Sequence, residues 1–178
     1  MSNNDIPAVC RFLDAFLIKI GRGAAWLSAV LIAVIILQVA LRYLLGISYV
    51  ALEEIQWHIY AVIILLGMSY AMVTDSHIRL DLLHLGFSQK KKEWVEVLGI
   101  LFFLLPMIWV FFYHSLDFVA ESWMVSERSE APMGLGCRWA IKSMIPISFT
   151  LLFLAAVSRL IKGFHRIFFM KGGKEHGR

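Results

Sequence analysis

Four long apolar stretches, parted by short runs that carry most of the charge, set the pattern of this chain; they occupy residues 24–45, 55–73, 97–116 and 143–161. Each is close to the roughly 20 apolar residues that a helix needs to cross a hydrocarbon layer of about 30 Å. The runs are continuous and do not alternate with polar residues, so membrane strands are excluded. The pattern predicts an all-α membrane protein of four transmembrane helices, organised as one domain over 1–178. Ahead of the first span, Ile6, Val9, Leu13, Phe16 and Ile20 recur at the spacing of one helical face, with Arg11, Asp14 and Lys19 elsewhere. That periodicity predicts an N-terminal amphipathic helix lying in the membrane interface; plain extension of the first span is the competing arrangement. The run is too short for a coiled-coil seam.

Composition agrees with a bilayer as solvent. Hydrophobic residues make up 60% and charged residues 17%, with a mean hydropathy of +0.73, against roughly 45–50% and 25% in soluble domains. A net charge of +4 would suit nucleic acid if the basic residues formed a stripe, but they sit between the apolar blocks, so no nucleic-acid partner is expected. Their distribution instead predicts topology. Thirteen of the 17 Lys and Arg fall in the N-terminal arm, the second loop and the tail; the other side has only Arg42, Arg128, Arg138 and Lys142. Cytoplasmic segments hold the excess, so both termini are expected inside. The N-terminus has no small-residue cleavage site after a short apolar stretch, which predicts that the first span is kept as an anchor. The second loop, His77 to Leu85, reads as a cytoplasmic surface segment. Lys90, Lys91 and Lys92 after it would attract anionic lipid headgroups, at about 1 kcal/mol each. Cys10 and Cys137 are expected near opposite faces, too far apart for a disulfide, and neither is given a role.

Candidate chemistry is sparse. Glycine-rich phosphate loops, metal-spaced Cys/His clusters and nucleophile elbows do not occur in the sequence, so no catalytic, cofactor-binding or metal residue is predicted. Polar residues near the spans remain. Glu53, Glu54 and His58 open the second span, where carboxylates suit a helix N-terminus; a clasp between Arg42 and either glutamate across the short hairpin is the sharper alternative. Gln38 inside the first span must find a hydrogen-bond partner on another helix. Pro106 should bend the third span. His58 and His114 are both expected near the outer face and could ligate haem, although two interfacial histidines are the plainer reading. The third loop, with Glu127, Arg128, Pro132, Gly134 and Gly136 between Trp123 and Trp139, is the longest external feature and the natural place for a soluble partner to touch.

In their order and spacing these residues resemble the small membrane subunit of the tripartite ATP-independent periplasmic (TRAP) transporters, the DctQ-like family. The resemblance rests on Glu53-Glu54 entering the second span, on Gly67-Met68-Ser69-Tyr70-Ala71 later in it, and on His77-Ile78-Arg79-Leu80-Asp81-Leu82-Leu83 after it. It is carried further by Ser126-Glu127-Arg128-Ser129 with Pro132 and Gly134-Leu135, ahead of Trp139 and Pro146. Gly136-Cys137-Arg138 departs from it, where many relatives have a proline before the tryptophan. The resemblance implies a multi-pass protein of a bacterial inner membrane. Its partners would be a large permease subunit (DctM-like), driven by a sodium gradient, and a periplasmic binding protein (DctP-like) that delivers an organic acid, with membrane lipids around them. The small subunit would pack against the permease scaffold without a substrate or ion site of its own. Gln38, Gly67, Ser69 and Ala71 are the residues expected to serve partner contact, because small residues let helix backbones approach closely. A haem-bearing electron carrier and a free-standing small exporter are the alternative functions.

Overall fold

The computed structural model describes residues 7–74 and 89–169. Its helices are α1 (Ala8–Leu44), α2 (Val50–Val73), α3 (Gln89–Gly99), α4 (Leu105–Met124) and α5 (Arg138–Phe169), and a π turn at Ile100–Leu104 joins α3 to α4. Taking α3, the π turn and α4 as one rod, four helices are long and apolar enough to cross a membrane. The expected spans 55–73, 97–116 and 143–161 each lie inside one of these rods, and 24–45 runs one residue beyond the end of α1 at Leu44. The His77 to Leu85 segment lies outside the described residues.

Local chemistry accounts for the breaks. Gly46, at φ +66°, turns the chain out of α1 in a conformation that costs glycine nothing, and the Ile47 N–H donates back to the Leu41 carbonyl at 3.2 Å. Pro106 has no N–H, and its ring would meet the Phe102 carbonyl in an α-helix. The backbone answers by widening: the Leu105 N–H donates to Ile100, five residues back, and the helix then continues. What the structure shows ahead of Pro106 is therefore a π turn.

The N-terminal segment corrects the expectation of a separate interfacial helix. α1 is unbroken for 37 residues, about 55 Å at 1.5 Å per residue, so the arm extends the first span. The face turned to the protein is Cys10, Leu17, Gly21 and Ala24, while Val9 and Phe16 of the expected apolar face are exposed. The reason is tertiary. Asp14 lies between Cys10 and Leu17 on the packed side, where it accepts from Ser158 Oγ at 2.7 Å and from Lys162 of α5.

α5 is the central helix. Half of its apolar window is buried, against 6% for α1, and Ile108, Phe149, Leu152 and Ala156 form one core with Ile100. Leu17, Leu151 and Ala155 form a second, and Met72 of α2 packs against both. Several of the most deeply buried side chains are serines: Ser69, Ser122, Ser148 and Ser158 are at most 1% exposed. Lipid tails are as apolar as leucine, so small residues that let backbones approach are the means of packing here. Ser69 and Ser148 return their hydroxyls to carbonyls of their own helices, at 3.0 and 2.9 Å.

Candidate functional site

Polar side chains gather at the two ends of the bundle, here named the loop end, where residues 125–137 join α4 to α5, and the tail end. At the loop end Gln38 of α1 reaches α2: its Nε2 donates to Glu53 at 2.9 Å, and its carbonyl accepts from Gln56. The intramembrane amide thus has an interhelical partner at each of its polar atoms. The expected Arg42 clasp does not form. Glu53 is taken by Gln38, Glu54 turns to the loop, and Arg42 is exposed.

Glu54 organises that loop. One carboxylate oxygen accepts from Ser129 Oγ and the other from the Leu135 N–H at 2.6 Å. Around this anchor the Ser129 N–H donates to the Leu135 carbonyl and the Gly134 N–H to Ala131, both at 3.0 Å. Gly134 is required by the closeness of the turn, since a Cβ there would lie 2.5 Å from that of Ser129. Three other residues, Ser126, Met133 and Cys137, hold positive φ angles of 44°, 64° and 60°. Such conformations cost about 1–3 kcal/mol each and persist only where the surroundings fix them. The Glu54 anchor and the edge-on contact of Trp123 with Trp139, at 4.5 Å between centroids, supply that fixing.

Glu127 closes the other side of the loop. It pairs with Lys142 and lies 3.6 Å from Arg138, and the Lys142 hydrogen bond, foremost, holds its carboxyl below the usual carboxylate range. Lys142 also sits 3.8 Å above the Phe118 ring. Arg128 is exposed and takes no part in this junction. Between α2, α4 and α5 lies a cavity of about 600 Å³, with Trp57, His58, Phe118, Arg138 and Lys142 in its wall. His114 is not in that wall; it stands on the exposed side of α4, edge-on to Tyr113. Among the described residues there is no cluster of three or more His, Cys, Asp or Glu side chains able to hold a metal ion.

The small residues of α2 divide. Ser69 is fully buried, whereas a Cβ on Gly67 would meet nothing within 4 Å, so Gly67 faces outward. Ala71, four residues on, lies on the Gly67 side and is half-buried.

The tail end holds a network that the sequence reading missed. Arg159 clasps Glu96 through two nitrogens, one of them at 2.7 Å, Arg166 meets Glu93 at 2.8 Å, and Lys162 meets Asp14. Three cations of α5 thereby tie down α1 and α3. Their spacing of three and four residues, opposite two glutamates three apart, was the available signal.

A profile of the family described as "Tripartite ATP-independent periplasmic transporters, DctQ component" matches residues 31–166. The chain belongs to the DctQ family. A comparison with curated proteins gave no match. The DctQ match takes in the Gln38 bridge, the Glu54 anchor, the loop and the ion pairs made by α3 with α5, and it begins beyond Asp14. DctQ is a component of transporters and not an enzyme family, and a multi-pass membrane protein is what four such helices imply.

Proposed function

We propose that this chain is the small scaffold subunit of a TRAP transporter in a bacterial inner membrane. It holds a DctM-like permease in place while a DctP-like periplasmic protein delivers an organic acid for sodium-driven uptake. The observation that carries this reading is the state of its intramembrane polar groups. Gln38 and Gln56 bond each other, and Gln38 bonds Glu53, so they join helices and do not converge on an ion-coordinating centre. Meanwhile large apolar residues face outward along α1 and α2, including Trp26, Ile36, Trp57 and Ile64, as expected of helices whose outer faces meet lipid or a larger partner. Gly67 and Ala71 lie on an outward side of α2 and are the proposed points of close approach. The charge asymmetry supports an orientation with the tail end in the cytoplasm and the loop of residues 125–137 in the periplasm.

The test is co-purification with the permease, then uptake in proteoliposomes supplied with the binding protein and a sodium gradient. A permease that transports at full rate without this chain would defeat the proposal. So would loss of sodium coupling in Glu53→Gln or Glu54→Gln with assembly intact. For topology, an impermeant thiol reagent applied to intact cells should label a cysteine placed at position 127 and spare one at 91; the reverse pattern would invert the orientation.

A further inference from the structure

The cavity at the loop end has donors left over. Both acids in its wall are engaged: Glu54 accepts from Ser129 and Leu135, and Glu127 accepts from Lys142. The Lys142 ammonium is engaged in turn, by Glu127 and by the Phe118 face. Arg138 is held more loosely: its guanidinium is ion-paired with Glu127 at 3.6 Å, longer than a hydrogen bond, its charge also acts on Glu54, and its side chain is 42% exposed. A guanidinium carries five N–H donors in a planar fork, more than the single Glu127 approach uses, and Arg138 lines the cavity. His58 and Trp57 stand in the same wall, and His58 is near enough to Glu54 for its charge to act on that carboxylate. Arg138 is also the first residue of α5, where the positive end of the helix dipole adds to its charge.

We infer that this cavity binds an oxyanion, a carboxylate or a phosphate group, held by the Arg138 fork and by His58, with Trp57 and Phe118 as apolar walls for whatever carries the group. The hydrogen-bond capacity of the two acids is taken by Ser129, Leu135 and Lys142, while Arg138 and His58 act on them through charge alone and keep their hydrogen-bond donors for a ligand. A volume of about 600 Å³ leaves room for a body as well as a charged end, as in a small organic acid, or a phospholipid whose headgroup enters from the membrane. The inference stands on this geometry and not on the scaffold reading, so either can fail alone.

The full-length chain in dodecyl maltoside micelles, which contain no phosphate, is titrated with sodium acetate and with inorganic phosphate, while Trp57 emission is followed against a Trp57→Phe control. In a parallel series the micelles carry rising fractions of phosphatidylglycerol. Saturable response to a soluble anion, weakened about ten- to a hundredfold by Arg138→Gln, supports the site and identifies a free oxyanion. Saturation with phosphatidylglycerol alone, equally weakened by Arg138→Gln, supports the site and identifies a lipid headgroup. Arg138→Lys, which keeps the charge and loses the fork, should fall between, and Arg128→Gln, on the exposed loop surface, should match the parent chain. Absence of saturable response in both series overturns the inference, as does binding that is undiminished in Arg138→Gln and His58→Phe. Thermal unfolding of each variant separates lost binding from lost fold, and a variant that does not fold is replaced by Arg138→Lys and His58→Gln.

Discussion

Replacing Gly21 by alanine is expected to force α1 away from α2. Gly21 is buried, and a Cβ built on it would lie 2.5 Å from both Cβ and Cγ of Tyr70, about 1 Å inside ordinary carbon–carbon contact. The Tyr70 ring can swing about χ1, but its Cβ is fixed to the α2 backbone, so the helices themselves must separate or rotate. Overpacking of this kind costs about 1–3 kcal/mol. Alanine's better helix propensity returns about 1 kcal/mol, leaving a net loss of about 0–2 kcal/mol. Gly23 is the matched control, because a Cβ there meets nothing within 4 Å; Gly23→Ala takes the propensity gain without the clash. Unfolding in mixed micelles of rising dodecyl sulfate fraction, followed by tryptophan emission, should therefore separate the two variants by the overpacking cost, about 1–3 kcal/mol. Tyr70→Gly, which removes the opposing Cβ, should do less harm in the Gly21→Ala background than in the parent chain. If Gly21→Ala proves as stable as Gly23→Ala, the close approach of α1 and α2 at Tyr70 is wrong.

Three further outcomes are expected. Arg159→Met should destabilise the bundle by about 3 kcal/mol, the low end for breaking a buried pair, because Glu96 keeps 29% exposure and can recover some water; Arg159→Met with Glu96→Met should regain much of the loss in the same micelle assay. Glu127 has a lowered carboxyl pKa in the fold, so its stabilisation of the loop is complete above the ordinary carboxylate range of about 4.3 and is lost as pH falls through the lowered value. Hydrogen exchange at the Arg138 N–H, which bonds the Glu127 carbonyl at 3.2 Å, should accelerate over that acid window in the parent chain and show no such transition in Glu127→Gln. Gly67→Leu with Ala71→Leu should leave the isolated chain as stable as the parent yet abolish co-purification with the permease, and retained co-purification would move the interface elsewhere.

The four spans were legible because crossing a bilayer imposes a length and an apolarity that a single window of sequence can display. Helix ends were less so. The first span was expected from residue 24, yet α1 starts at Ala8, since what fixes its inner third is Asp14 meeting Ser158 and Lys162, partners more than 140 residues away. The same distance effect hid the Glu54 anchor. Glu53 and Glu54 are adjacent and chemically alike, but one faces Gln38 and the other Ser129, and only the fold separates them. Glycine was ambiguous for a related reason: Gly67, inside an apolar run, meets no other helix, whereas Gly21, between Lys19 and Arg22 ahead of the first run, does.

The packing also bears on how a partner would be held. α1 buries least of its apolar window inside the chain, so its membrane face is the one most available to lipid or to another protein. Gln38 is the polar residue that a partner helix on that face would be expected to use, but its carbonyl and one amide hydrogen are already committed to α2. Recognition along α1 then depends on the shape of exposed apolar side chains such as Trp26, at 77% exposure, and Ile36, at 63%. Contacts of that kind gain only from dispersion and close fit in a membrane, where burying apolar area from lipid brings no hydrophobic reward. They therefore need a long, rigid rod to act over. A helix of 37 residues, tied to α5 at one end by Asp14 and to α2 at the other by Gln38, supplies it.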